Sequence, residues 1–225
     1  GTGATPQNPD RTLPQAGQSV RDQRPKMTIT ARIRNLHIET LSDNWYVLRK
    51  ATFDFLRSDG TWQTQSREAY DRGNGAAILL YNRERSTVLL TRQFRYPAWS
   101  NGLTSGMLIE VCAGLLDADD PETAIRREAE EETGYRLNVV QHVFDAYMSP
   151  GSVTERLSFF AAEYTDSQRI NAGGGEAGST EDIELLELAL PDAMRMIVTG
   201  EIIDAKTIML LQWAALSGVL AGRSD

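Results

Sequence analysis

Gly114-Leu115-Leu116-Asp117-Ala118-Asp119-Asp120-Pro121-Glu122-Thr123-Ala124-Ile125-Arg126-Arg127-Glu128-Ala129-Glu130-Glu131-Glu132-Thr133-Gly134-Tyr135 joins a glycine, a short acidic loop and a run bounded at both ends by helix signals. Asp120 is an N-cap residue, Pro121 suits the first helical position, and Gly134 can end the helix in the left-handed conformation. The run therefore predicts a helix over 121–133. On it Glu122 and Arg126, Arg126 and Glu130, and Arg127 and Glu131 stand four apart, so each can form a surface pair worth about 0.2–0.5 kcal/mol. Glu128 and Glu132 have no basic neighbour at helical spacing inside the helix, only each other. Helix spacing alone leaves two readings of them. They belong to a solvated charged face, or they chelate a hard divalent cation such as Mg²⁺ or Mn²⁺ through oxygen, which turns their repulsion into binding.

Outward from this helix the chain reads as strands on both sides. Apolar residues alternate with polar ones in Tyr46-Val47-Leu48 and Phe53-Asp54-Phe55-Leu56, and Ser58-Asp59-Gly60 makes a turn before the run Thr61 to Tyr70. A small antiparallel sheet is expected over 27–72. Gly73-Asn74-Gly75 breaks the pattern, and short apolar strands follow at Ala76 to Tyr81 and Thr87 to Thr91. After the helix come strand-like runs at Asn138 to Tyr147 and Leu157 to Tyr164, and a glycine-rich loop at Asn171 to Ser179. A strand at Ile183 to Leu188 and helices near Pro191 to Val198 and Ala205 to Ala221 complete the pattern. Strands and helices mixed in this way predict an α+β chain.

Composition narrows the function. The 225 residues are 41% hydrophobic and 24% charged, in the range of folded globular chains. With 31 acids against 23 bases the net charge is −8, which argues against a nucleic-acid partner. An anionic substrate would then need a cation to neutralise it, and carboxylate-held divalent metal is the usual device. The single cysteine, Cys112, allows no intrachain disulfide and suits a reducing cytoplasm. His37 and His142 stand alone, too few for a His-rich metal site or a Ser-His triad. No stretch approaches the ~20 apolar residues of a membrane span, and Ile208 to Leu220, interrupted by Gln212 and Ser217, reads as a buried helix. Residues 1–26 hold four of the eight prolines and too few apolar residues for a core. They are expected to be a disordered tail or a non-native extension, with a native start at Met27.

The stretch from Gly114 to Tyr135 resembles the Nudix box, a glycine loop followed by a helix carrying Arg-Glu-(apolar)-x-Glu-Glu-x-Gly. It departs twice: Asp120 stands where a Glu is usual, and six residues rather than seven separate it from Arg127. The likeness extends beyond the box, to Tyr70-Asp71-Arg72-Gly73-Asn74-Gly75-Ala76, Arg92-Gln93-Phe94-Arg95, Tyr147-Met148-Ser149-Pro150-Gly151 and Thr199-Gly200-Glu201-Ile202. Together these segments are similar to the GDP-mannose pyrophosphatase (NudK-type) branch of the Nudix hydrolases, related to the ADP-ribose pyrophosphatases. The resemblance implies a Nudix α/β/α sandwich with a mixed sheet over 73–225, preceded by the small antiparallel β-domain at 27–72, which serves dimerisation and substrate binding.

It also implies a Mg²⁺ or Mn²⁺ site formed by Glu128, Glu132 and the backbone carbonyl of Ala113. Glu181 in Thr180-Glu181-Asp182 would supply a further acid that binds metal or orients water, with Glu176 and Asp182 as substitutes because the loop is longer than in relatives. Glu131 falls outside the direct ligands or pairs with Arg127. Substrate contacts carry over to Arg67, Glu68, Arg95, Gly114, Leu115, Glu155 and Lys206, and Trp45 stands where relatives stack an aromatic ring on the base. A core position is the other reading of Trp45, and Ser66 replaces a basic residue. The implied reaction is hydrolysis of GDP-mannose to GMP and mannose 1-phosphate by a homodimer in which Trp45, Arg67 and Glu68 act across the subunit boundary. A 27–72 sheet with too few strands to cover both faces agrees with that arrangement. The rival readings are an ADP-ribose or ADP-sugar pyrophosphatase with the same box, and a sensor that binds nucleotide sugars without turnover.

Overall fold

The computed structural model describes residues 32–175 and 182–220. The expected tail, residues 1–26, and the expected start at Met27 lie outside them. Strands β1 (Ile33–Asp43), β2 (Val47–Leu56) and β3 (Trp62–Asp71) form an antiparallel meander. Its second turn forms where Asp59 Oδ1 accepts a hydrogen bond from the Thr61 N–H at 2.9 Å, an aspartate turn next to a glycine with φ of 83°. No residue of these three strands is fully buried. Ile38, Leu41 and Trp62 are exposed apolar side chains on this sheet.

The sheet is tied to the rest of the chain at the end of β3. The Tyr70 N–H donates to Ser152 O at 2.8 Å, and the Thr154 N–H donates back to Tyr70 O at 3.1 Å. Asp71 accepts from Arg49 Nη1 at 2.8 Å and from the Gly73 N–H at 3.2 Å.

From Gly75 the chain builds a second sheet from β4 (Gly75–Asn82), β5 (Thr87–Phe94), β6 (Met107–Glu110), β7 (Cys112–Leu115), β8 (Gln141–Tyr147), β9 (Arg156–Glu163) and β10 (Glu184–Ala189). Helix α1 (Tyr96–Ser100) precedes β6, α2 (Pro121–Thr133) follows β7, and α3 (Leu190–Thr199) and α4 (Ala205–Ser217) follow β10. The strand order is β10-β5-β4-β9-β8, with β6 beside β5 and β7 beside β4. The β4–β9 pair is parallel and the others are antiparallel, so the sheet is mixed. A parallel pair needs a crossover, and α2 lies within the one that joins these two strands.

Every residue of β4 is buried, because the strand is covered on both faces. Ala76, Ile78 and Leu80 face a core with Ile125 and Ala129 of α2. Ala77 and Leu79 face the opposite core, with Ala193 of α3 and Leu210, Leu211 and Ala214 of α4. Period-two alternation thus sends one strand's side chains into two helical layers, giving the expected α/β/α sandwich. Each large aliphatic side chain buried this way contributes about 1.5–3 kcal/mol.

The structure corrects several local expectations. The strands Met107–Glu110 and Cys112–Leu115 and the helix Tyr96–Ser100 were not expected. The strand expected from Asn138 begins at Gln141, and the helix expected to reach Ala221 ends at Ser217, where Gly218 turns left-handed at φ 66°. Helix α2 spans Pro121–Thr133 as expected, with Gly134 at φ 79°.

Candidate active site

Helix α2 is fixed at both ends by its own sequence. Asp120 Oδ1 accepts from the N–H groups of Glu122 at 3.1 Å and Thr123 at 3.2 Å, so the short acid at the unusual position of the box is the N-cap. At the other end the glycine loop folds back on the last turn. The Gly174 N–H donates to Glu132 O at 2.8 Å and the Gly175 N–H to Glu131 O at 3.2 Å, satisfying carbonyls that a helix end leaves open. The described segment that precedes 176 therefore lies against the acidic end of α2.

The face of α2 turned toward β7 opens into a cleft of about 660 Å³. Ala113, Gly114 and Leu115 of β7 line it beside Glu128 and Glu132. Gly114 is required by close approach: a Cβ there would lie 2.3 Å from Glu128 Cδ and 2.6 Å from its Oε1. Glu132 is 4% exposed, and its Oε2 is shut off from solvent. Beside it, burial pushes the Cys112 thiol well up, and the charge and hydrogen bond of Glu132 push it further, with Glu128 and Glu131 adding to the field. Cys112 is held as a neutral thiol in an acidic surrounding.

Two expectations about this helix change. Arg127 Nη2 lies 3.6 Å from Glu128 Oε1, so Glu128 has a cation beside it that helical spacing does not reveal. The long arginine curls back along the surface, and it also hydrogen-bonds Asp119. Arg126 pairs with Glu122 at 2.7 Å as expected, but Glu130 pairs with Arg136 at 2.9 Å instead of Arg126, whose Nη1 donates to Leu137 O.

Among the described residues no cluster of three or more His, Cys, Asp or Glu side chains stands in metal-binding geometry. Two carboxylates, one of them buried, over a main chain without a side chain nevertheless form an all-oxygen donor set. That suits a small hard cation, which takes one or two carboxylates and completes its shell with water and substrate phosphate.

The same cleft is lined by cations. Arg95, which follows β5, donates its Nε to Glu110 Oε2 at 2.6 Å. Lys206, in the first turn of α4, donates its Nζ to Glu110 Oε1 and to Asp204 Oδ1, the latter at 2.9 Å. Asp204 caps α4 through Thr207, and Thr207 Oγ1 accepts the Val111 N–H at 2.8 Å, locking the β6–β7 junction to the helix start. Glu155 also lines the cleft and pairs with Arg72 at 3.4 Å. Arg72 in turn lies 5.7 Å from the Tyr46 ring centroid.

The cleft thus gathers Arg95, Ala113, Gly114, Leu115, Glu128, Glu132, Glu155 and Lys206. It does not gather Trp45, Arg67 or Glu68 of the same chain. Trp45 lies in the turn before β2 and is 56% exposed, which overturns the reading of it as a core residue. Arg67 bonds to Ser66 O and to Gln65 on the exposed sheet. Asp182 is exposed, whereas Glu176 and Glu181 lie outside the described residues. His142 bonds Asp145 at 3.2 Å on β8, away from the cleft. Sequence reading missed Tyr46, Arg72, Glu110 and Asp204 as cleft residues. Of these only Glu110 carried a signal, an acid inside the apolar run Met107 to Ala113.

Two family models match the chain. Residues 32–70 match the GDP-mannose pyrophosphatase NudK N-terminal domain, and residues 71–206 match the NUDIX domain. A GDP-mannose pyrophosphatase of Citrobacter koseri is 57% identical over 81% of this chain and 94% of its own length. That of Klebsiella pneumoniae is 52% identical over 85% of this chain and 97% of its own, and that of Escherichia coli O1:K1 is 54% identical over 85% and 100%. A crystal structure of an ADP compounds hydrolase shares the fold, with a TM-score of 0.64 at 17% identity over 88% of this chain and all of that one. The chain belongs to the Nudix hydrolase family, in the branch of the GDP-mannose pyrophosphatases that carry a NudK-type N-terminal domain.

Proposed function

We propose that the protein hydrolyses the pyrophosphate bond of a nucleoside diphosphate sugar, GDP-mannose before others, to give GMP and mannose 1-phosphate. The observation that carries this reading is one cleft lined both by the Glu128 and Glu132 carboxylates and by the cations of Arg95 and Lys206. The names of the relatives supply the substrate. Glu128, Glu132, Glu181 and the carbonyl of Ala113 would hold Mg²⁺ or Mn²⁺. When bound, such an ion neutralises and polarises the phosphates.

The chain's own residues do the rest. Arg95 and Lys206 offset the charge of the diphosphate, and the main chain of Gly114 and Leu115 lies beside it, the missing side chain at 114 making room for the Glu128 carboxylate. Glu155 takes a substrate hydroxyl. Glu181 accepts the proton of the attacking water as oxygen adds to one phosphorus and the bridging P–O bond breaks toward the other phosphate. The loop that carries it leaves from Gly175, bonded to Glu131 O, and returns at Asp182.

The same reading makes the protein a homodimer. A sheet without one fully buried residue, with Ile38 and Leu41 open, needs a cover. Trp45, Arg67 and Glu68, outside the cleft of their own chain, would reach that of the partner. Segment 27–72 would then act in dimerisation and substrate binding and 73–225 in catalysis. No helix among the described residues is long and apolar enough to cross a membrane. We assign the enzyme to the cytoplasm, where a single buried Cys112 stays reduced.

The test is hydrolysis of GDP-mannose and ADP-ribose side by side, with Mg²⁺ and with EDTA, the products separated by chromatography. GDP-mannose should be preferred and turnover lost with EDTA. Preference for ADP-ribose would move the specificity to the rival branch, and no turnover of either would make the protein a sensor.

A further inference from the structure

We propose that Glu110 is a positioning residue for the diphosphate: its one carboxylate sets Arg95 and Lys206 as a spaced, oriented pair of cations. The proposal rests on the assignment of Arg95 and Lys206 to the substrate made above.

Three features carry it. The Glu110 side chain is 3% exposed, whereas those of Lys206 and Arg95 are 12% and 39% exposed, so the carboxylate is the most deeply buried member of the trio. A buried carboxylate is costly unless fully bonded, and Glu110 uses both oxygens, Oε2 for Arg95 and Oε1 for Lys206. Loss of either cation would leave one buried carboxylate oxygen without that partner.

The donors left over make the second feature. Glu110 takes Arg95 through Nε, and among the described residues neither Nη1 nor Nη2 of Arg95 makes a hydrogen bond. Those two nitrogens form the forked edge that suits phosphate oxygens. Lys206 gives two of its three N–H donors to Glu110 and Asp204 and keeps one.

Third, the anchor is rigid. Glu110 ends β6, and the next residue, Val111, is bonded through its N–H to Thr207 Oγ1, one residue beyond Lys206. Arg95 is likewise pinned, its N–H donating to Gly106 O at 2.8 Å. The spacing of the two cations is therefore set by strands and a helix start, as a preorganised anion site requires.

The test is a double-mutant cycle of Glu110→Gln and Arg95→Ala in the full chain. GDP affinity is read by calorimetry in EDTA, and KM and kcat for GDP-mannose are read with Mg²⁺. Glu110→Gln should weaken GDP about tenfold or more, the scale of a misdirected charge-assisted contact, and raise KM more than it lowers kcat. With Arg95→Ala already present, Glu110→Gln should cost clearly less than it does in the wild-type background, because one of the two cations through which it acts is no longer there. Additive effects, or unchanged GDP affinity in Glu110→Gln, would overturn the proposal. If Glu110→Gln does not fold, Glu110→Asp keeps the charge but draws it back from Arg95, and GDP affinity in that folded variant should fall, an unchanged value refuting the role. Failure of the functional reading looks different: the wild-type chain would bind GDP with the predicted coupling and yet leave GDP-mannose intact.

Discussion

Replacing Gly114 by Ala isolates the contact on which the candidate metal wall depends. The glycine is not in a left-handed conformation, so the backbone accepts alanine, and a residue with Cβ is if anything favoured in a strand. The added methyl carbon, however, would stand 2.3 Å from Glu128 Cδ, and ordinary contact begins near 3.4 Å. The carboxyl must therefore recede by about 1 Å. Because the obstacle is the end of a flexible side chain and not backbone, the fold can yield there at little cost. Misplacing a functional group by about 1 Å costs on the order of 10²-fold in rate, or about 2.7 kcal/mol of transition-state stabilisation. The expected result is a variant whose melting temperature is unchanged or slightly raised and whose kcat/KM for GDP-mannose falls about 10²-fold with Mg²⁺ present. Thermal unfolding by circular dichroism and a phosphate-coupled rate assay on the same sample read both quantities. Activity within about threefold of wild type would show that the Glu128 carboxylate does not need the position that Gly114 leaves open, and would remove it from the site.

Glu132→Gln keeps the shape of a buried side chain and removes its charge. Mg²⁺ binding should be lost by calorimetry and turnover should fall about 10²-fold or more, with the near-ultraviolet spectrum unchanged; retained Mg²⁺ affinity would refute the assignment. Asp71 tests the junction between the two sheets. Burial pushes its carboxyl up, but hydrogen bonds from Arg49, the Gly73 N–H and Thr154 outweigh it and hold the group below its ordinary value of 3.8. A depressed folded value gives stability that is present above pH 3.8 and is lost as pH falls through the folded value. Asp71→Asn should therefore cost about 1 kcal/mol in urea unfolding at pH 7. Its deficit should shrink below pH 3.8, and a deficit that does not change with pH would show that the charge plays no part.

What could be read in the sequence, and what could not, divides by the range of the forces involved. Helix α2 was legible to the residue because Asp120, Pro121 and Gly134 act on their own neighbours. The Nudix box was legible because its glycine and glutamates recur in a fixed pattern, and the structure adds the reason: the missing Cβ of Gly114 is where Glu128 sits. The strands Met107–Glu110 and Cys112–Leu115 went unread because both lie in one nearly continuous apolar run, which shows no alternation to mark a strand. The aromatic residue that lines the cleft within its own chain went unread for another reason. Trp45 and Tyr46 both lie in the bend before β2, with ring centroids 6.3 Å apart, and pattern alone does not say which one meets the cleft. Tyr46 does so within its own chain.

Charge was the least legible of all. Glu130 prefers Arg136, six residues on and past the helix end, to Arg126 at the ideal spacing, because a side chain that clears the helix can choose its geometry while one on the same turn is held by it. Glu110 and Lys206 are 96 positions apart, and only the folding of β6 against the start of α4 brings them together. An acid in an apolar run announces that a buried partner must exist, since a carboxylate taken out of water without one would be expelled or protonated. It cannot name the partner. Here the partners are two cations that the family pattern already assigned to the substrate, so the buried residue bonded to both is the one that decides where they point.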